Sequence, residues 1–517
     1  MGFYARFVPT KGALKAYFDT VYSAINAIFG STGTTDGTVP RADGTGGKTL
    51  QSSGVVIDDN NDVTGVRNLA ATGSVSAGSA NIGNSYVSGE ALADLLSYGV
   101  VYNQDGDSYG RTGRLSAMPI GKSLGDDLLP IHAQMRRCVL SDAGVVQYYL
   151  DPTDSTLKAD GITASDLTGG DGQVMVEIPA FYFRYTVRYY GISAVHRWEV
   201  SGVPLDGFTL HPAFIKAGVE VPYRYYGAYE GSMYDDSESA MCAVASIASS
   251  IYVAGDKLCS VSGQYPKTNE TRAEFRAMAE ARGAGWHLED FYLRSAVQLL
   301  YLIEYADFDS EAMIGNGRVS LTNGDWVASE IHDGTNYGYI GKCGLSNGDG
   351  NASAADSTAT DLTAGESPAY MSYRGIENWW GNIWKFVDGI NIRNFDPLAG
   401  TAYASYAYAT NDYEDFADDT DTGYTLLTAG LAQADGYARQ ICPIQDGFLP
   451  ASVAGGASNT GLADYCYTYF DNDPNVGWRV ALWGGCAYDG AHAGAFFVYS
   501  NTGSSDAYTP FGGRLCF

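Results

Sequence analysis

Beyond Phe308 the sequence shows no strong helical period up to Phe517. Glycine, asparagine, aspartate and aromatic residues dominate instead, so this half has to be built from short strands and long organised loops. Loops of that length in a compact chain ordinarily carry function. The two helices that the sequence does announce lie just before this boundary. "TRAEFRAMAEARG" opens with Thr271 and Glu274 at capping-box spacing and ends on Gly283. "HLEDFYLRSAVQLLYLIEYADF", residues 287–308, is apolar nearly all round, which predicts a buried helix.

Upstream the pattern is β. "MRRCVLSDAGVVQYYLDP" reads as two strands around a turn at Ser141–Gly144, and "GQVMVEIPAFYFRYTVRYYG" as a long β run with Pro179 at an edge or bulge. "HRWEVS" and "GFTLHPAF" continue in that style. The chain has 64 glycines, and its 39 tyrosines nearly double its 20 phenylalanines. Such a mixture suits a turn-rich β or α+β protein with amphipathic rings at its surfaces. At 517 residues and 45% apolar, it has material for two to four domains with real cores.

The N-terminal part differs. Within 11–29, Leu14, Tyr17, Phe18, Val21, Ile25 and Ile28 follow helical spacing, and Gly30 ends the run. Lys15 and Asp19 interrupt the apolar stretch, so neither a signal peptide nor a membrane span is expected. One amphipathic helix of this size is marginal alone, and copies of itself are a natural partner. Residues 31–96 carry thin β runs at Gly54–Ile57, Val63–Val66 and Ser74–Ser76 between turn signals. Strands this thin cannot form a monomeric core, which leaves a flexible linker or an intertwined fibrous oligomer; the fibre is favoured because the segment follows a helix that also needs partners. The expected organisation is therefore a helix at 1–30 for attachment and oligomerisation, a β-rich shaft at 31–96, a β-rich connector at 97–171 and a folded domain at 172–517.

Charge and motifs narrow the chemistry. Acidic residues outnumber basic ones by 59 to 31, a net charge of −28 that opposes nucleic-acid and anionic-lipid binding. The eight cysteines lie far apart with no C-x-x-C pair, so they read as buried thiols. "GLSNG" at Gly344–Gly348 matches a nucleophile elbow by letter, but no packing helix follows it. No zinc-protease, Walker A or dinucleotide motif is present, and the six histidines are scattered. No catalytic residue and no cofactor is assigned. Glu414, Asp415, Asp418, Asp419 and Asp421, with "DNDPN" at 471–475, offer oxygen ligands of the kind calcium takes, but neither cluster has EF-hand spacing, and the metal question stays open.

The most specific residues are "ENWWGNIWKFVDGINI" at 377–392, "DGFLP" at 446–450, "GWRVALWGG" at 477–485 and the closing Gly513-Arg514. The W-G-N-x-W-x-x-x-D-G run resembles the hallmark of C-type-lectin-fold domains of the formylglycine-generating-enzyme type, over roughly residues 172–517. The resemblance implies an α+β C-type-lectin-like domain with long organised loops. The oxidase branch of that family places a cysteine pair after its G-[FW]-R strand. Here that loop offers Cys486 alone, so the oxidase activity is not expected.

The stretch 483–517 resembles instead the variable region of proteins diversified by retroelements, with phage major tropism determinants as the type. On that resemblance, Gly484, Gly485, Gly490, Ala493, Gly494, Phe496, Gly503, Gly512 and Arg514 are frame, and the residues between them are free to change. Residues 37–85 similarly resemble tail-fibre shafts, which usually form trimers. Together these imply a non-enzymatic receptor-binding protein of a phage tail, made in the host cytoplasm and attached through its N-terminus to baseplate or tail proteins. Its partner is a bacterial surface receptor, protein or glycan. A tail-associated depolymerase and a retroelement-diversified adhesin are the alternatives. The candidate ligand-binding residues are Tyr488, Asp489, His492, Phe497, Tyr499, Asn501, Asp506, Tyr508 and Phe511: rings that give contact area with few frozen rotors, and small polar groups that adapt. Period 2 in "GAFFVYS", residues 494–500, predicts Phe496 and Val498 inside and Phe497 and Tyr499 outside.

Overall fold

The computed structural model describes 95–190, 193–242, 251–319, 340–357, 369–396, 404–454, 462, 464–468 and 477–517, with the backbone of five short strands between 38 and 91. The amphipathic helix expected at 11–29 and the strand expected at Ser74–Ser76 lie outside the described residues. Thr38–Ala42, Leu50–Ile57 and Val63–Thr64 form a small antiparallel sheet within the chain. Pro40 sits on its edge strand beside a register shift, where a residue without an N–H is tolerated.

The expectation of an α+β lectin-type fold is corrected: the described chain is mostly β-sheet, in several sheets. Among the described residues there are three α-helices: α1 (Arg272–Glu280), α2 (Phe291–Tyr305) and α3 (Ser310–Ile314). Much of what read as loop after Phe308 is strand. Its period is hidden most on the central strand, where every residue from Trp384 to Ile392 is buried and apolar residues do not alternate cleanly with polar ones.

A five-stranded sheet runs in the order Thr209–Leu210, Tyr182–Tyr190, Ser193–Ser201, Ser97–Asn103, Ser108–Gly113. A six-stranded sheet runs His287–Leu288, Leu515–Cys516, Tyr223–Gly227, Gln173–Pro179, Arg136–Leu140, Val146–Tyr149. Residues 97–171, expected as a separate connector, therefore supply strands to both sheets of the larger domain. The hairpin read at Ser141–Gly144 is present, with Gly144 at φ +72°, a conformation its missing Cβ permits.

Helix α2 explains the centre of the molecule. All fifteen of its residues are buried, as a run apolar on every face requires. Asp290 caps it by accepting from the Leu293 N–H, and Ala306 ends it in the left-handed region. Two of its buried charged groups are paired: Arg294 with Glu289 at 2.7 Å, and Glu304 with Arg374 at 2.6 Å. His132 reaches α2 through the Leu300 carbonyl at 2.8 Å, while Tyr98 lies 3.3 Å from its other nitrogen. Helix α1 carries the predicted capping box, its Thr271 side chain accepting from the Glu274 N–H.

The third large sheet positions the C-terminal stretch. Its strands follow the order Thr425–Thr428, Ala404–Ala409, Trp384–Asp396, Gly477–Trp483, Val498–Thr502, Tyr465–Tyr467, Gly436–Ile441, Pro450–Ala454, with Phe511–Gly512 paired in parallel to Trp384–Lys385. One face packs Val387, Ile390, Ile392, Ala481, Trp483 and Val498 into the cluster around α2. The opposite face carries Trp384, Phe386, Val480 and Leu482, with Tyr465, Tyr467, Tyr488 and Tyr499 partly buried against them.

Among the described residues, no helix is long and apolar enough to cross a membrane. All eight cysteines are free thiols, and all but Cys242 are buried.

Candidate aromatic binding surface

The terminal stretch is pinned at both ends. Trp483 is buried in the α2 cluster, and the Gly381 N–H donates to the Gly484 carbonyl at 2.9 Å. Gly484 has φ +89°, and a Cβ there would lie 2.8 Å from the Trp379 carbonyl oxygen, so no other residue fits. At the far end, Arg514 is fully buried and donates to the carbonyls of Gly227, Glu377 and Asn378 at 2.8, 2.6 and 3.0 Å. Between these anchors, the Ala487 N–H donates to Asn382 and the Gly490 N–H to Val319. Gln298 of α2 donates to the Ala495 carbonyl at 2.7 Å, and the Ala495 N–H donates to Ser310 Oγ at 2.9 Å. Much of this stretch is therefore held by backbone bonds whose identity does not depend on its own side chains.

Trp384 organises the side chains. Its ring lies 5.7 Å from Tyr488, 5.1 Å from Tyr499, 6.4 Å from Phe497 and 5.4 Å from Phe511. Its indole N–H donates to Asp489 Oδ2 at 2.6 Å, and the Cys486 N–H donates to the same oxygen at 2.6 Å. Asp489 thus fastens its loop to Trp384. Burial pushes its carboxyl up to about 6, against the pull of those two bonds.

A second group of rings joins this one. Tyr499 stands across from Tyr467, and Tyr465 across from Tyr437, on three adjacent strands. The ring centroids step by 5.3 Å from Tyr499 to Tyr467, 4.6 Å to Tyr465 and 5.1 Å to Tyr437. His492 stacks on Tyr465 at 4.1 Å, with Nδ1 3.0 Å from the Tyr467 hydroxyl. Burial lowers the His492 pKa, which favours the neutral ring and lets Nδ1 accept from that hydroxyl.

The nine candidate positions divide. Tyr508 is 55% exposed, and Tyr488, Asp489, His492, Tyr499 and Asp506 are half-buried. Phe497 is fully buried, and Asn501 and Phe511 nearly so, which corrects the expectation that they face outward. The strand begins at Val498, not Gly494, and Phe496 and Phe497 plug clusters on opposite sides of the sheet. Phe511 is held by parallel pairing with Trp384. Cys486, Thr502 and Pro510, read as free to vary, are also buried. Sequence reading missed Tyr437, Tyr465 and Tyr467, although the alternation in "YCY" at 465–467 is the period-2 signal of a strand with one face open.

Other candidates resolve into structural roles. Ser346 of "GLSNG" is fully buried and donates to Glu377 Oε2 at 2.6 Å while accepting from Arg137. Asp418 accepts from Arg272 and Arg276, each at 2.6 Å. Among the described residues, no group of three or more His, Cys, Asp or Glu side chains is placed to hold a metal ion, and 471–475 lie outside them.

No protein-family model matches the chain, and no curated protein matches it.

Proposed function

We propose that this chain is a receptor-binding protein of a phage tail, which takes a bacterial surface ligand on the aromatic surface built around 483–517 and performs no catalysis itself. One observation carries the reading. Half-buried and exposed rings (Tyr488, Tyr499, Tyr508) sit on a stretch held through backbone bonds and through Trp384 and Arg514, so the contact residues can change without loss of the frame. Rings fixed before contact lose little freedom on binding, which is what a recognition surface needs. The shaft-like sequence at 37–85 supports placement in a tail, with the N-terminus toward baseplate or tail proteins.

Replacing Tyr488, Tyr499 and Tyr508 together with alanine is expected to reduce adsorption to host cells at least tenfold, with the melting curve retained. Adsorption unchanged by the triple substitution would remove the surface from the proposal. The shaft is proposed to assemble three chains, which multiplies a weak single-site affinity. Light scattering should then give about three times the chain mass of 55.1 kDa. A mass equal to one chain rules the trimer out.

A further inference from the structure

We propose that the outer face of the five-stranded sheet carries a binding site for a single oxyanion, a carboxylate or phosphate group borne by an otherwise uncharged ligand. The pairing of Tyr182–Tyr190 with Ser193–Ser201 sets Arg184 across from Glu199, Thr186 across from Arg197 and Arg188 across from Val195. The alternate residues Phe183, Trp198 and Val200 are buried in the cluster around α2, so this set faces away from it. Arg184, Arg188, Arg197 and Tyr190 line a hollow of about 360 Å³ there, together with Glu199. The hollow shares no residue with the aromatic surface around 483–517.

Two of the guanidinium groups are fixed before any ligand arrives. Glu199 is 1% exposed and accepts from Arg184 Nε at 3.0 Å and Nη2 at 2.6 Å through one oxygen, and from Arg197 Nη2 through the other. Arg184 also lies over the Phe208 ring, 4.6 Å from its centroid. Gly99, across from Glu199 on the next strand, makes room for that carboxylate: a Cβ there would lie 2.9 Å from Glu199 Cγ. The Nη1 groups of Arg184 and Arg197, and the whole guanidinium of the exposed Arg188, have no partner among the described residues. Three guanidinium groups thus meet one carboxylate, in a chain whose acidic residues outnumber its basic ones by 59 to 31. Planar forks with unspent N–H groups are matched by the oxygens of a carboxylate or phosphate. The rest of the lining is uncharged: Val101, Thr186, Val195 and Tyr190, whose ring is 63% exposed. Such a wall suits the neutral body of the ligand. A long polyanion is disfavoured, because the net charge of −28 repels every charge it places beyond the hollow.

The experiment titrates the full chain with sodium glucuronate, inorganic phosphate and glucose, using saturation-transfer NMR for the sugars and phosphorus line broadening for phosphate. Both anions are expected to bind saturably with a Kd of about 1–10 mM, and glucose not to bind. Arg188→Gln is expected to weaken both anions about tenfold with the melting curve retained, since Arg188 is exposed and holds no other side chain. Arg188→Lys, which keeps the charge, is expected to lose less than the glutamine variant. Absence of saturation by either anion, or affinities unchanged in Arg188→Gln, overturns the site. Glucuronate tighter than phosphate assigns it to acidic sugars, and the reverse order to phosphate esters; both orders uphold the oxyanion site. Heparin bound a hundredfold tighter than glucuronate, and released by Arg188→Gln, would make the face a polyanion surface and overturn the single-anion assignment.

Discussion

Asp388→Ala is expected to lower the free energy of unfolding by about 3–5 kcal/mol, the range for removing one partner of a buried ion pair. Asp388 is fully buried on the strand Trp384–Asp396. It accepts from Arg276 at 2.6 and 2.9 Å, and Arg272, fully buried, lies 3.9 Å away. Both arginines belong to α1, and both also donate to Asp418. The alanine variant would leave two guanidinium groups, that of Arg272 fully buried, facing one carboxylate. Asp388→Asn keeps the size but not the charge, and should fall between wild type and alanine. Urea titration followed by tryptophan fluorescence measures both. A loss below about 1 kcal/mol for the alanine variant would show that Asp418 alone can hold α1 to the sheet.

Glu311→Gln is expected to stabilise the protein by about 2 kcal/mol at pH 8 and not at all at pH 4. Burial, reinforced by the charges of Asp309 and Asp489, raises the Glu311 carboxyl from an ordinary 4.5 to about 8. Its Oε1 is buried and has no hydrogen-bond partner. A carboxyl whose pKa is higher in the folded state contributes stability in full below its unfolded pKa, and that contribution is lost as pH rises through the folded one. The full shift at 1.36 kcal/mol per unit gives a larger figure. It is reduced here because Glu311 is partly exposed as a residue, and solvent screens it. Glutamine mimics the protonated form at every pH and so removes the loss. Melting temperatures of the two proteins at pH 4, 6 and 8 test this, and a constant difference across the series would mean that Glu311 does not titrate in that window. The charge also acts on the candidate aromatic surface, since Asp489 and Asp464 lie within its field. Alkaline conditions are thus expected to loosen the loop that carries Tyr488 and His492.

The parts of the fold that were legible in the sequence are the local ones. The capping box of α1, the all-round apolar character of α2 and the turn at Ser141–Gly144 each depend on residues close together in the chain. The anchors Trp483 and Arg514 were legible too, as bulky residues set among glycines. What escaped was decided at long range. Phe497 and Phe511 look like contact residues by type, yet each fills space opened by Trp384, more than a hundred positions earlier. The contact of Tyr467 with Tyr499 depends on the parallel pairing of Tyr465–Tyr467 with Val498–Thr502, a register that neither segment announces. The boundary expected at 171 dissolved because Arg136–Leu140 pairs with Gln173–Pro179 across it. The fold class went astray for the same reason, since strands covered on both faces lose the alternation by which strands are recognised.

The place of Leu515–Cys516 sets a condition on how the protein is made. This pair lies inside the six-stranded sheet, where Cys516 stands across from both Tyr226 and His287. While the chain is still emerging from the ribosome, Tyr223–Gly227 and His287–Leu288 have no strand between them. The sheet can close only after residue 516 has cleared the exit tunnel. Contacts that span nearly three hundred residues form slowly, and the open edges wait exposed in the meantime. A nascent chain of this protein therefore keeps those two strand edges unpaired until residues 515–516 have emerged.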